Sequence, residues 1–260
     1  MSETENLSYA SPYMTYGDVL SRMDDYNIAI LPWGSIEPHG LHLSYITDGL
    51  LASMISILSV EKTGELKQKF FILPCFNLGS QNIGQTNKKM CIHFNGETQY
   101  CVLMDIVSSL YSQGLKKLVI INGHNGNTFK TVVRDIENNY NDFKIFVCNY
   151  LDIVHSDKKE EPLNSIPFPE IDDHAGFTET SLMMHFMPEV VKLEYNKVPY
   201  EEKKHEEIKG MLSPRDWDEV SHYTCVGDPS TASAEFGKKI SDYVTDVIGK
   251  SLIQIYKMGD

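Results

Sequence analysis

The chain has 260 residues, of which 42% are hydrophobic and 23% charged. These are values of an ordinary globular protein, and they exclude a disordered chain, a collagen and a coiled coil. The net charge of −13 repels a phosphate backbone, so nucleic acid is not an expected partner, whereas divalent cations are compatible with it. No apolar run approaches the ~20 residues of a membrane span. The acidic start, Met-Ser-Glu-Thr-Glu-Asn, lacks the basic and apolar regions of a signal peptide. A cytoplasmic protein without membrane contact is therefore expected. The five cysteines form no Cys-x-x-Cys pair, which predicts reduced, mostly buried thiols.

In chain order the pattern alternates strand and helix. Residues 27–32 read as a short buried strand, apolar from Ile28 onward. The strand runs into Gly34-Ser35-Ile36-Glu37-Pro38-His39-Gly40-Leu41-His42, and Asp48 follows at the head of an apolar, helix-like stretch over 49–60. Two carboxylates and an imidazole converging there suit a borderline divalent cation. Read alone, Asp48 could be no more than a helix N-cap. Residues 70–75 read as a second strand, and residues 98–113 as a helix stopped by Gly114. A third strand, 117–121, leads into Ile121-Asn122-Gly123-His124-Asn125-Gly126-Asn127, where two glycines bracket His124. Glycine permits close backbone approach. Such a turn before a helix could also hold a phosphate, although its spacing is neither Gly-x-Gly-x-x-Gly nor a P-loop.

A helix over 127–138 and a strand over 143–149 come next. Residues 157–173 are polar, carry Pro162, Pro167 and Pro169, and read as a long loop. After it, His174 and Glu179 stand five apart at the start of an apolar helix over 176–186. Glu179 either complements the dipole of that helix or joins a metal site beside a histidine acid/base. Residues 200–218 are densely charged and read as a solvated insertion. A last amphipathic helix covers 232–256. Neither irregular stretch has the length of a domain linker, so residues 1–260 are expected to form one domain. The alternation argues for a largely parallel sheet with helices on both faces, in which ligands bind beyond the carboxyl ends of the strands.

Together, these stretches resemble the creatininase, or creatinine amidohydrolase-like, family. The family's Gly-Ser-x-Glu-x-His-Gly-x-His-Leu corresponds to residues 34–43, with Asp48 following. Its Asn-Gly-His-x-x-Asn corresponds to residues 122–127, and its His-Ala-Gly-x-x-Glu-Thr-Ser to residues 174–181. A shorter Gly-Asp-Pro matches residues 227–229. The resemblance implies a three-layer α/β sandwich with a mostly parallel central sheet, a two-metal centre and a ring-shaped homo-oligomer, commonly a hexamer. By position it makes Glu37, His39, Asp48 and His124 metal ligands, with Asp48 bridging, and His174 the acid/base. Two departures stand out. Gly126 occupies the place of a glutamate ligand of creatininase proper, so Glu179 is expected to supply the missing carboxylate. Glu170 occupies the place of the tryptophan that lines the creatinine pocket, and Trp33 and Trp217 lie elsewhere.

The expected cofactor is a divalent metal, two ions per chain by the resemblance, zinc or manganese with iron as the third option. Such a pair makes water acidic near neutral pH and polarises a carbonyl. The expected reaction is hydrolysis of an amide-type C–N bond in a small molecule: a cyclic amide, a formamide or a short peptide. Opening of a cyclic ketone by C–C hydrolysis at the same centre is the second expectation. A metal-free module reading nucleotides with residues 123–127 is the third. A stacked aromatic contributes ~1 kcal/mol beyond area burial, so its absence at Glu170 predicts that creatinine is a poor substrate. The acids Glu170, Asp172 and Asp173 point to a more polar or cationic group. His93 is read as a loop or core histidine outside the site.

Overall fold

The computed structural model describes residues 13–22, 25–195, 210–211, 213–214 and 216–259. Most of the charged stretch read as an insertion, residues 200–209, 212 and 215, lies outside them. The elements in chain order are α1 (Tyr16–Leu20), β1 (Ile28–Trp33), α2 (Thr47–Glu61), β2 (Phe70–Ile72), α3 (Gly96–Ser112), β3 (Lys117–Asn122), α4 (Phe129–Glu137) and β4 (Lys144–Asn149). They continue with α5 (Tyr150–Ser156), β5 (Asp172–His174), α6 (Phe177–Phe186), α7 (Trp217–Val220), β6 (Val226–Gly227) and α8 (Ala234–Lys257).

The central sheet is four-stranded, in the order β2-β1-β3-β4, and every pairing in it is parallel. β1 and β3 are buried along their whole lengths, as parallel strands covered on both faces must be. Successive side chains of a strand point to opposite faces, and here they enter two separate cores. Ile28, Ile30, Val119 and Ile121 pack with α2, α6 and α8 on one face. Ala29, Leu31, Trp33, Leu118 and Ile120 pack with α3 and α4 on the other. The result is the three-layer α/β sandwich that the alternation implied.

The chain leaves β1 for β2 on one side and later adds β3 on the other. The topological switch point, where ligand crevices form in open α/β sheets, therefore lies between the carboxyl ends of β1 and β3. Register sets Trp33 beside Asn122 at that end. A second, two-stranded sheet, β5 with β6, is antiparallel. No helix among the described residues is long and apolar enough to cross a membrane. All five cysteines are free, but they are less buried than expected: Cys101 is exposed and the others are half-buried.

Candidate functional site

Two close approaches seat the head of α2 at the switch point. A Cβ on Gly34 would strike the backbone of Gly49. A Cβ on Gly123 would come within 2.5 Å of the Asp48 carbonyl oxygen. Without those side chains, the turns after β1 and β3 close on the first turn of α2 and hold Asp48 between them. The N-cap position of α2 is Ile46 and makes no side-chain cap bond, so the capping reading of Asp48 is overturned. Its carboxylate faces His39 instead, with His39 Nε2 and Asp48 Oδ1 2.8 Å apart.

Around it the sequence-derived candidates converge, all of them buried. His124 Nδ1 lies 2.8 Å from Glu37 Oε1 and 3.2 Å from Asp48 Oδ2. His174 Nδ1 lies 3.8 Å from Glu37 Oε1, and its ring packs on His39 at 4.3 Å between centroids. The donor atoms fall into three triads, each within 4.8 Å: Glu37–Asp48–His124, His39–Asp48–Glu179 and Glu37–His39–His174. Asp48 belongs to the first two.

Each imidazole has its outward nitrogen on a backbone carbonyl. His39 Nδ1 donates to Glu37 O at 3.1 Å, His124 Nε2 to Ser80 O at 2.7 Å and His174 Nε2 to Pro38 O at 3.0 Å. This leaves His39 Nε2, His124 Nδ1 and His174 Nδ1 as the nitrogens that face the cluster, the arrangement common among metal-bound histidines. Glu37 Oε2 accepts from Gln85 Nε2 at 2.8 Å, and one oxygen of Glu179 accepts the Ala175 N–H at 2.6 Å. Glu179 lies in the first turn of α6, but that bond goes to a residue before the N-cap Gly176 rather than to an N–H of the helix, and the residue also belongs to the second triad. Asp48 Oδ2 is buried without a hydrogen-bond partner.

Electrostatics show how strongly the cluster demands positive charge. Burial raises the Glu179 carboxyl to about 8 against the pull of His39 and of the Ala175 N–H, with the Asp48 and Glu37 charges adding to the rise. Burial disfavours charged His39, yet the Asp48 carboxylate, with Glu179 and Glu37 beyond it, holds it up to about 10. His124 is likewise raised against its burial, by Glu37 and Asp48. Burial pushes Glu37 upward, but His124, His174 and His39 hold it well below the usual carboxylate range. His174 is lowered by burial and by His39. Three carboxylates that tolerate one another only by raising imidazoles fit divalent cations, which would replace those protons, and the orphaned Asp48 oxygen fits a ligand position.

The creatininase family profile, described as creatinine amidohydrolase, matches residues 12–252. The chain belongs to the creatininase family of amidohydrolases. A creatinine amidohydrolase of Pseudomonas putida is 29% identical over 184 residues, covering 64% of this chain and 67% of its own. A mycofactocin precursor peptide peptidase of Mycobacterium ulcerans is 26% identical over 232 residues, covering 85% and 83%. The crystal structure of a candidate creatinine amidohydrolase from Bacteroides fragilis superposes with a TM-score of 0.87 at 34% identity, covering 97% of this chain and 98% of that one. A creatininase solved with manganese shares the fold at a TM-score of 0.79 and 22% identity, covering 96% and 99%, and a zinc–zinc form at 0.78 and 23%, covering 96% and 98%.

In this creatininase-family chain Gly126 has a local reason. A Cβ there would collide with Ser80 O and His124 Nε2, the pair whose hydrogen bond orients His124. The glycines of residues 123–127 thus serve close packing around His124 and Asp48 rather than a phosphate cradle. Trp217 departs from its sequence reading. Distant along the chain, it meets His174 edge to face at 4.8 Å, and the two line a cavity that also takes in Glu37, Asp48, His124 and Glu179. Sequence reading missed Gln85 and Ser80. Both lie in the polar stretch after β2 (Phe70–Ile72) but well past its end, too far for the rule applied to β1 and β3 to reach them. His93 is exposed, and its Nδ1 accepts the Gln81 N–H, outside the cluster.

Proposed function

We propose that the chain is a metal-dependent hydrolase of amide-type C–N bonds in which Glu37, Asp48 and His124 hold one divalent ion and His39, Asp48 and Glu179 the other. The observation that carries this reading is the sharing of Asp48 between two triads of donor atoms. Imidazole and carboxylate donors suit zinc or manganese, with iron as the third option. When bound, the ions supply a water that is acidic near neutral pH and an electrophilic pull on the scissile carbonyl.

The chain's own residues account for the rest. His174 is kept neutral by burial and by His39, and with Nε2–H on the Pro38 carbonyl it starts as a proton acceptor at Nδ1. It takes the proton released as water attacks the carbonyl carbon and delivers it to the leaving nitrogen, a relay worth ~10²–10⁴ in rate. Gln85 holds Glu37, and the carbonyls of Glu37 and Ser80 hold His39 and His124. Relatives named for creatinine and for a precursor peptide favour a C–N bond over a cyclic ketone. Creatinine itself is expected to be a poor substrate. Trp217 reaches the cavity but is only 5% exposed and packs against Val220, Val226 and Ile171, which leaves little open face for stacking. One catalytic domain and a homo-oligomer, a hexamer by the resemblance, complete the proposal.

Protein purified without chelator is expected to carry about one to two equivalents of zinc, manganese or iron, and to hydrolyse members of a panel of cyclic amides, formamides and short peptides. Chelation abolishes the activity and metal restores it. Creatinine should fall below ~10⁴ M⁻¹s⁻¹ in kcat/KM, the lower end of ordinary enzyme efficiency. Turnover confined to cyclic diketones would overturn the C–N reading.

A further inference from the structure

The turn after β3 carries a buried polar side chain that the proposed centre does not use. Asn127 closes the stretch Asn122-Gly123-His124-Asn125-Gly126-Asn127 and is only 5% exposed. Its Oδ1 accepts the Ser80 N–H at 3.1 Å and an N–H of Gln99 Nε2, and its Nδ2 donates to Asn122 Oδ1 at 3.0 Å. A backbone N–H can only donate, so the Ser80 bond fixes which end of the carboxamide is oxygen. Gln99 and Asn122 are themselves buried.

Two of those bonds lead back to His124. Ser80 O accepts the His124 Nε2–H at 2.7 Å, and Asn122 Nδ2 donates to the His124 carbonyl oxygen at 2.8 Å. Asn127 thus grips the ring through Ser80 and the backbone through Asn122, while Gln99 ties it to α3 on the far side of the sheet. Ser80 depends on such a grip because it lies outside helix and strand. Its hydroxyl donates to Phe94 O at 2.7 Å, and the Gln81 N–H, on the peptide that carries Ser80 O, goes to the exposed His93. Asn127 supplies the buried hold on its backbone. The packing is close: a Cβ on Gly79 would lie 2.7 Å from Asn127 Oδ1 and 2.9 Å from His124 Cδ2, so carboxamide and ring press on the same backbone.

We propose that Asn127 is a positioning residue: by holding Ser80 and Asn122 together it aims His124 Nδ1 at Glu37 and Asp48, and so sets the metal affinity of the Glu37–Asp48–His124 triad rather than that of its neighbour. The affinity half rests on the metal centre proposed above; the aim of the ring does not. Removing an outer partner of a metal-bound histidine typically weakens the metal by ~10–100-fold. With zinc titrated against a competing chelator, Asn127→Ala should therefore weaken by at least ~10-fold the equivalent that His124→Ala loses, and leave the other within ~3-fold. In His124→Ala the ring to be aimed is gone, so adding Asn127→Ala should change the remaining equivalent by less than ~3-fold. Gln99→Met leaves the Ser80 and Asn122 bonds in place and should weaken neither equivalent by as much as ~10-fold. Asn127→Ser leaves a smaller cavity and takes the place of the alanine variant if that one does not fold. A further measurement needs no metal. In chelator, proton NMR should show a slowly exchanging imidazole N–H, assigned by its absence in His124→Ala, and Asn127→Ala should bring it into fast exchange. Equal weakening of both equivalents, damage by Gln99→Met as large as that by Asn127→Ala, a further loss in the double variant, or an N–H signal that survives Asn127→Ala would overturn the assignment. If the wild type takes up no zinc yet the signal disappears in Asn127→Ala, the metal centre fails while the positioning of His124 stands.

Discussion

At the scale of single residues, Asp48 decides the site. Its two oxygens face different imidazoles, Oδ1 towards His39 and Oδ2 towards His124, so one truncation removes a donor from two triads at once. Asp48→Ala is expected to lose both equivalents of metal and all activity. His124→Ala, which leaves the His39–Asp48–Glu179 triad intact, should lose one equivalent preferentially. Metal analysis of the two purified variants checks this, and full metal content in Asp48→Ala would return that residue to a purely structural role. Residues of this kind were readable from sequence because the signal is local: a polar residue directly after an apolar strand has few reasons to be there. Gln85 and Trp217 were not readable, since each acquires its meaning from a partner more than forty residues away, Glu37 for Gln85 and His174 for Trp217.

At the scale of elements, the long apolar runs of β1 and β3 and the periodic helices α3, α6 and α8 were legible, with boundaries a residue or two off. β5, β6 and α7 were not. They are two to four residues long and exist through pairing with distant segments, which no local pattern encodes. The contact between α6 and α8 shows the same dependence. A Cβ on Gly237 of α8 would sit 2.5 Å from the Ser181 carbonyl carbon and 2.9 Å from His185 Cβ. Helix propensity alone favours alanine over glycine by ~1 kcal/mol, whereas overpacking typically costs ~1–3 kcal/mol. The obstacle is backbone and cannot rotate away, so the clash wins. With the clash in the upper half of that range, ~2–3 kcal/mol, less the ~1 kcal/mol of propensity, Gly237→Ala should lose ~1–2 kcal/mol, and at ~2–4 °C per kcal/mol for a chain of this size the Tm should fall by ~2–8 °C. Because α6 carries Glu179, metal affinity should fall with it. Thermal unfolding with bound metal tests this, and an unchanged or raised Tm would mean that the two helices separate freely.

At the scale of the whole molecule, the buried cluster ties stability to pH, and a metal bound there is expected to reverse the dependence. Without metal, Glu179 titrates near 8 and His39 near 10 in the folded chain, each above its unfolded value of ~4.3 and ~6.5. A group whose folded pKa is raised binds more protons folded than unfolded, so stability falls as pH rises between the two values. For Glu179 that window runs from ~4.3 to about 8, and for His39 from ~6.5 to about 10. Glu37 is held low and works oppositely, but only where the pH falls through the carboxylate range. From pH 6.5 to pH 9 the metal-depleted protein should therefore lose stability steadily. Divalent ions bound there would take the place of those protons, and their affinity would grow as the imidazoles and Glu179 deprotonate, so the loaded protein should hold or gain stability over the same interval. The stabilisation by metal follows RT ln(1 + [L]/Kd) and should widen with pH. Unfolding curves in chelator and in excess zinc or manganese, at pH 6.5 and pH 9, measure the two slopes. Parallel slopes would mean that these carboxylates and imidazoles are not where the metal binds.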